Sequence, residues 1–109
     1  MTRRAVLVRL LQDHITYDER EEADRCAMLR LAHELADPLS RNEASAHFTA
    51  SAFVVDETGT QTCLIQHVKL GRLLQPGGHV ERSDLSLEAA ALRARGRTAR
   101  RGRRAAAGG

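Results

Sequence analysis

Near the start of the chain, apolar residues recur at helical spacing; further on they alternate with polar ones. Within residues 3–13, Val6, Leu7, Leu10 and Leu11 fall on one stripe of a helix. Residues 18–36 continue that period, and Met28, Leu31 and Leu35 mark the face expected to be buried. Glu19, Glu21 and Glu22 crowd the first turn, where acids suit the positive end of the helix dipole, and read as a solvated face. Asp37-Pro38 predicts the end of this helix, because proline disfavours helical geometry in the residue before it.

The pattern then changes to period two. Within residues 46–55, Phe48, Ala50, Ala52 and Val54 alternate with Thr49, Ser51, Phe53 and Val55, predicting a buried strand. Residues 56–60 carry turn chemistry, with Gly59 able to take positive φ, and residues 61–68 are a second β-prone run, so a hairpin is expected. Residues 69–81 read as a loop broken at Pro76-Gly77-Gly78, with His79-Val80-Glu81 a brief strand at its end. From about Leu85 a helix is predicted, capped by Ser83 or Asp84 and facing a sheet with Leu85, Leu87, Ala89 and Leu92. Residues 94–109 contain only Arg, Ala, Gly and one Thr; they show no period and are expected to stay unordered, although Ala and Arg permit some helix. The expected organisation is a helical segment over residues 1–45, a sheet-and-helix unit over 46–93 and a basic tail over 94–109.

Composition narrows the class. At 109 residues and 42% hydrophobic, the chain supports one small core, filled mainly by aliphatic side chains and alanine because aromatics make up 3%. No apolar run approaches the ~20 residues of a membrane span, so no membrane partner is expected. The opening stretch turns polar at Gln12 and Asp13 without a small-residue cleavage site, unlike a signal peptide. Cys26 and Cys63 have no metal-type spacing and fit reduced thiols in a cytoplasmic protein. The net charge of +3 hides an asymmetry: residues 93–109 hold seven arginines and no acid, leaving ten basic against 14 acidic residues elsewhere.

The residues with most chemical interest surround the glycine pair. Gly77 and Gly78 would let backbone approach an anion closely, the helix after them would aim free N–H groups at it, and Lys69 and Arg72 stand just upstream as phosphate partners. An ordinary turn is the plainer reading of Pro-Gly-Gly. His79 and Glu81 alternate on one strand face, within reach of a substrate or metal or on a solvated edge. His47, His67 and His79 invite zinc, but their spacing matches no ligand motif. Cys63 reads as a small core residue.

The segments HFTASAFVV, LLQPGGHVE and SDLSLEAAALR together resemble the first half of a Nudix hydrolase domain running into its signature, G-x5-E-x7-R-E-U-x-E-E-x-G-U, over roughly residues 47–93. Gly78 matches the opening glycine, Asp84 stands where the pattern has its first glutamate, and Arg93 matches the arginine with one extra residue between. The resemblance implies an α/β fold: a Nudix-like α/β/α sandwich around a mixed sheet, here with an N-terminal helical segment and incomplete at the C-terminus. It implies hydrolysis of a nucleoside diphosphate-linked or other diphosphate substrate by water attacking phosphorus, with Mg²⁺ or Mn²⁺ as cofactor. Glu81, Asp84 and Arg93 are then the catalytic candidates; Lys69, Arg72, Gly77, Gly78 and His79 are the substrate-binding ones.

The match breaks after Arg93. The glutamates expected next fall on Ala94, Arg97 and Thr98, the closing glycine falls on Arg100, and no acid follows Glu88. Carboxylates one helical turn apart would hold the metal, and arginines there would repel it, so the metal ligands are left without an assignment. The expectation is a truncated or frameshifted form, weakly active or inactive and marginally stable. A shifted frame accounts for the composition, since Ala94-Arg95 written GCG AGG contains the glutamate codon GAG. The rival reading is a nucleic-acid-binding protein acting through the arginine tail with strong salt dependence, although no aromatic interleaves those arginines to stack on bases.

Overall fold

The computed structural model describes residues 1–98 and 103–106, the side chains of 97, 98 and 103–106 excepted. Among them are three helices and six strands, and no helix is long and apolar enough to cross a membrane. The chain is α+β and divides into two compact units, residues 1–48 with 79–86 and residues 49–78 with 87–109.

The first unit is built on two helices, α1 (Arg3–Asp13) and α2 (Glu19–Glu34). Both begin at side-chain caps: the Thr2 hydroxyl accepts from the Ala5 N–H at 3.0 Å and the Asp18 carboxylate from the Glu21 N–H at 2.8 Å. Each cap satisfies a backbone donor that the helix itself leaves open. Two arginines then tie each helix to the far end of the other. Arg4 of α1 donates to the carbonyls of Ala32 (2.6 Å), His33 (3.3 Å) and Ala36 (2.7 Å) at the C-terminus of α2. Arg25 of α2 donates to the Leu11 carbonyl near the C-terminus of α1 at 3.2 Å, and it also pairs with Glu22. Cations placed at helix C-termini meet both the open carbonyls and the negative end of the dipole.

The buried residues of this unit are Leu7, Leu11, Ala32, Pro38, Leu39, Phe48, Val80 and Asp84. The face expected for α2 is corrected here. Met28 and Leu31 are 39% and 37% exposed, and the buried residue is Ala32. A small residue lies where Arg4 reaches across to the carbonyls, so the contact is made by a guanidinium and an alanine rather than by two bulky side chains. Leu10 is likewise more than half exposed, and Leu7 with Leu11 carries the buried stripe of α1. Full burial of each of these leucines favours folding by about 1.5–3 kcal/mol.

The second unit contains the strands β1 (Thr49–Ser51), β2 (Val54–Val55), β3 (Gln61–His67), β4 (Arg72–Leu74), β5 (Gly77–His79) and β6 (Arg103–Ala106), with α3 (Leu87–Thr98); His79, the last residue of β5, groups with the first unit. The expected hairpin is present as β2–β3, with Val54 opposite Cys63 and Val55 opposite Thr62. Its turn is organised by Asp56, whose Oδ1 accepts from the Thr58 hydroxyl and the Thr60 N–H at 3.0 Å, while Gly59 takes φ +71°. Burial opposes charge on Asp56, but the bonds from Thr58 and from the N–H groups of Gln61, Thr60 and Gly59 outweigh it and lower its pKa.

Two expectations change in this unit. The single strand over 46–55 is split at Ala52-Phe53, and the halves pair differently: β1 with β5, and β2 with β3. The Ala52 N–H, at the switch, donates to the Pro76 carbonyl at 2.8 Å. The loop over 69–81 instead contains two short strands, β4 and β5, and the brief strand expected at His79-Val80-Glu81 is strand at His79 alone. Arg72, Leu73 and Leu74 pair antiparallel with His67, Gln66 and Ile65, closing a second hairpin whose turn uses Gly71 at φ +62°.

The four-stranded sheet is antiparallel in each of its pairings, where a mixed sheet was expected. Because β2 and β6 both pair with residues 62 and 63, they occupy opposite edges of β3. α3 packs on β1 and β3, with Ala90 buried. It starts at Leu87, not Leu85, which is 76% exposed. The tail expected to be unordered from residue 94 contributes the last turns of α3, through Thr98, and then β6, which gives β3 a second edge partner. Helix propensity of Ala and Arg favours the former. Residues 99–102 and 107–109 of that tail lie outside the described residues.

Candidate functional site

In the first unit the chain passes from His79 through a turn at residues 81–84. The Asp84 N–H donates to the Glu81 carbonyl at 3.0 Å, and the Glu81 N–H donates back to Asp84 Oδ2 at 2.8 Å. Asp84 is 5% exposed. Its carboxylate closes this turn. A short acidic side chain bonds readily to backbone N–H groups nearby, and this bond turns back along the chain. The Arg3 guanidinium donates to the Arg82 carbonyl at 3.1 Å and to that of Glu81 at 3.4 Å, holding the turn against α1. Asp84 and Glu81 are therefore brought together by this turn.

His79 meets His47 in the same unit. His47 Nε2 and His79 Nδ1 are 3.2 Å apart, with ring centroids separated by 5.2 Å and planes tilted by 34°. Spacing along the chain gives no hint of this pair, because 32 residues separate the two; the pairing of β1 with β5 brings them together. His67 is elsewhere: its Nδ1 accepts from the Leu70 N–H at 3.2 Å within the β3–β4 turn.

The second unit holds the glycines and the basic candidates. An added Cβ on Gly77 would lie 2.5 Å from the Ala50 carbonyl oxygen and 2.6 and 2.7 Å from Ser51 Cβ and Cα. Gly77 is thus required by the close passage of β1, whatever else it does. Gly78 takes φ +146° with open space where a side chain would go, so backbone conformation alone selects glycine there. Pro76 is fully buried. Lys69 is exposed in the β3–β4 turn, and Arg72 opens β4, exposed, opposite His67. Arg93 is half-buried on α3.

A cation of the Mg²⁺ type takes hard oxygen ligands, commonly one or two carboxylates with water and substrate oxygens. Asp84 Oδ2 is already engaged by backbone. α3 offers Glu88 as its single acid, and its positions 94, 97 and 98 are Ala, Arg and Thr. Among the described residues no group of three or more His, Cys, Asp or Glu is placed to hold a metal ion. Cys26 and Cys63 are both free thiols, the former exposed.

The most acidic cluster of the chain lies at the start of α2. Glu22 bonds Arg25 and the Thr16 hydroxyl, and the Arg25 guanidinium foremost, then Thr16, lowers its pKa to about 2. Glu21 accepts from His14 at 2.6 Å and from the Tyr17 N–H at 3.1 Å, and its pKa is lowered mainly by His14. These bonds order the entry to α2 and account for the cluster structurally. Compared with known proteins, the chain matches no family model and no curated sequence.

Proposed function

We propose that residues 47–93 are a Nudix-type domain, of the kind that cleaves diphosphates, and that this chain does not itself carry out the metal-dependent reaction. The kinship rests on the motif residues Gly78, Asp84 and Arg93 and on the order of hairpin, glycine turn and amphipathic helix. The three-layer α/β/α sandwich belongs to the proposal with them. On this reading Lys69 and Arg72 are the cations offered to a diphosphate or nucleotide-like ligand, with the backbone of Gly77 and Gly78 and the side chain of His79. Glu81, Asp84 and Arg93 are what remains of the catalytic stretch.

The observation that carries the inactive half of the reading is the donor set. After Glu88 the sequence has Ala94, Arg97 and Thr98 where the motif has the glutamates that would hold a divalent cation. None of the three residue types supplies the hard carboxylate oxygen that Mg²⁺ takes as ligand. The test is phosphate release from a panel of nucleoside diphosphate derivatives with Mg²⁺ or Mn²⁺ and purified chain. The expected result is no release above the protein-free rate. Metal-dependent turnover that scales with the amount of protein would overturn it.

A further inference from the structure

The diphosphate reading uses His79 alone; its pairing with His47 does not depend on that reading. His79 ends β5, His47 stands two residues before β1, and β1 pairs with β5. The His79 backbone is held in β5, His47 leads into its partner strand, and the two ring nitrogens lie 3.2 Å apart. Two nitrogens bound to one tetrahedral zinc at Zn–N of ~2.0–2.1 Å lie ~3.3–3.4 Å apart. The observed separation is within about 0.2 Å of that bite. His47 is half-buried and His79 exposed, so an ion reaches both rings without opening the core.

We propose that His47 and His79 form a two-imidazole binding site for zinc, with water completing the coordination. Imidazole nitrogen favours borderline ions such as Zn²⁺ over Mg²⁺, which takes oxygen ligands. In the metal-free chain one ring donates to the other. On binding, the donating ring shifts its proton to its other nitrogen by exchange with water. Both facing nitrogens then offer lone pairs to the ion, and a neutral pair loses no net proton. With two protein ligands the site keeps positions open to solvent, so it is distinct from a closed structural zinc site.

Calorimetric titration of Zn²⁺ into the full chain, with His47→Ala, His79→Ala and His67→Ala variants, tests the site. One zinc per chain is expected. Each of H47A and H79A should weaken binding at least tenfold, H67A should leave it unchanged, and a tenfold excess of Mg²⁺ should not displace zinc. Wild-type affinity in either H47A or H79A, loss of binding in H67A, or no zinc binding at all overturns the assignment. A readout that needs no variant is the electron paramagnetic resonance spectrum of the wild-type chain with one equivalent of Cu²⁺. Superhyperfine coupling to two imidazole nitrogens supports the pair, and coupling to one or none refutes it.

Discussion

Replacing Gly77 by alanine separates two explanations for the same residue. If Gly77 serves only to bring backbone close to a ligand, G77A leaves the fold intact and weakens binding. The packing of β1 says otherwise. The new methyl would sit 2.5 Å from the Ala50 carbonyl oxygen and 2.6 and 2.7 Å from Ser51 Cβ and Cα, and two of these three atoms are backbone. Backbone cannot rotate away as a long side chain can, so β1 must move off β5 or the pairing must break. Overpacking typically costs 1–3 kcal/mol, and a backbone clash on this scale belongs at about 3 kcal/mol. For a chain of this size that lowers the melting temperature by roughly 12–24 °C. Gly59→Ala is the control: nothing lies within 4 Å of its added Cβ, so only the strain of φ +71° applies. That strain costs about 1–2 kcal/mol. The assay is thermal unfolding followed by circular dichroism. Adding Ser51→Gly to G77A removes one of the three close contacts and should recover part of the loss, since the Ala50 oxygen remains. A G77A chain melting within about 3 °C of wild type would refute the packing argument.

Other outcomes follow from single contacts. Arg4→Met should destabilise the chain by about 1.5–3 kcal/mol in urea unfolding, because a charged donor is withdrawn from the C-terminal carbonyls of α2. Asp84→Ala should cost about 1–3 kcal/mol by leaving the Glu81 N–H without its acceptor, while Asp84→Asn, which keeps an acceptor oxygen, should recover most of it. Glu22 has a folded pKa of about 2 against 4.5 unperturbed, so its stabilising effect is fully present above pH 4.5 and fades as the pH falls towards 2. The stability gap between wild type and Glu22→Gln, measured by urea unfolding across that window, should close with acidification; a gap that widened would show the sign to be wrong.

The two helices could be read from the sequence because their information is local. The 3.6-residue period, the acids of the first turn and Pro38 all act within one or two turns of where they stand, and α1 and α2 end close to where the pattern says they should. The β2–β3 hairpin was legible for the same reason, since Asp56 and Gly59 shape their own turn. The tertiary structure decided which partner each segment met. Nothing in the alternation over 46–55 says that its first half pairs with β5 and its second with β3. Nor does the spacing of Asp84 before a helix say that its carboxylate will turn back to the Glu81 N–H. Ala32 rather than Leu31 is buried, at the place where Arg4 reaches over from another helix, and His47 meets His79 across 32 residues of chain. Periodicity records which face of an element prefers to leave water. The identity of what covers that face is set by contacts between residues distant in sequence, which one-dimensional spacing does not encode.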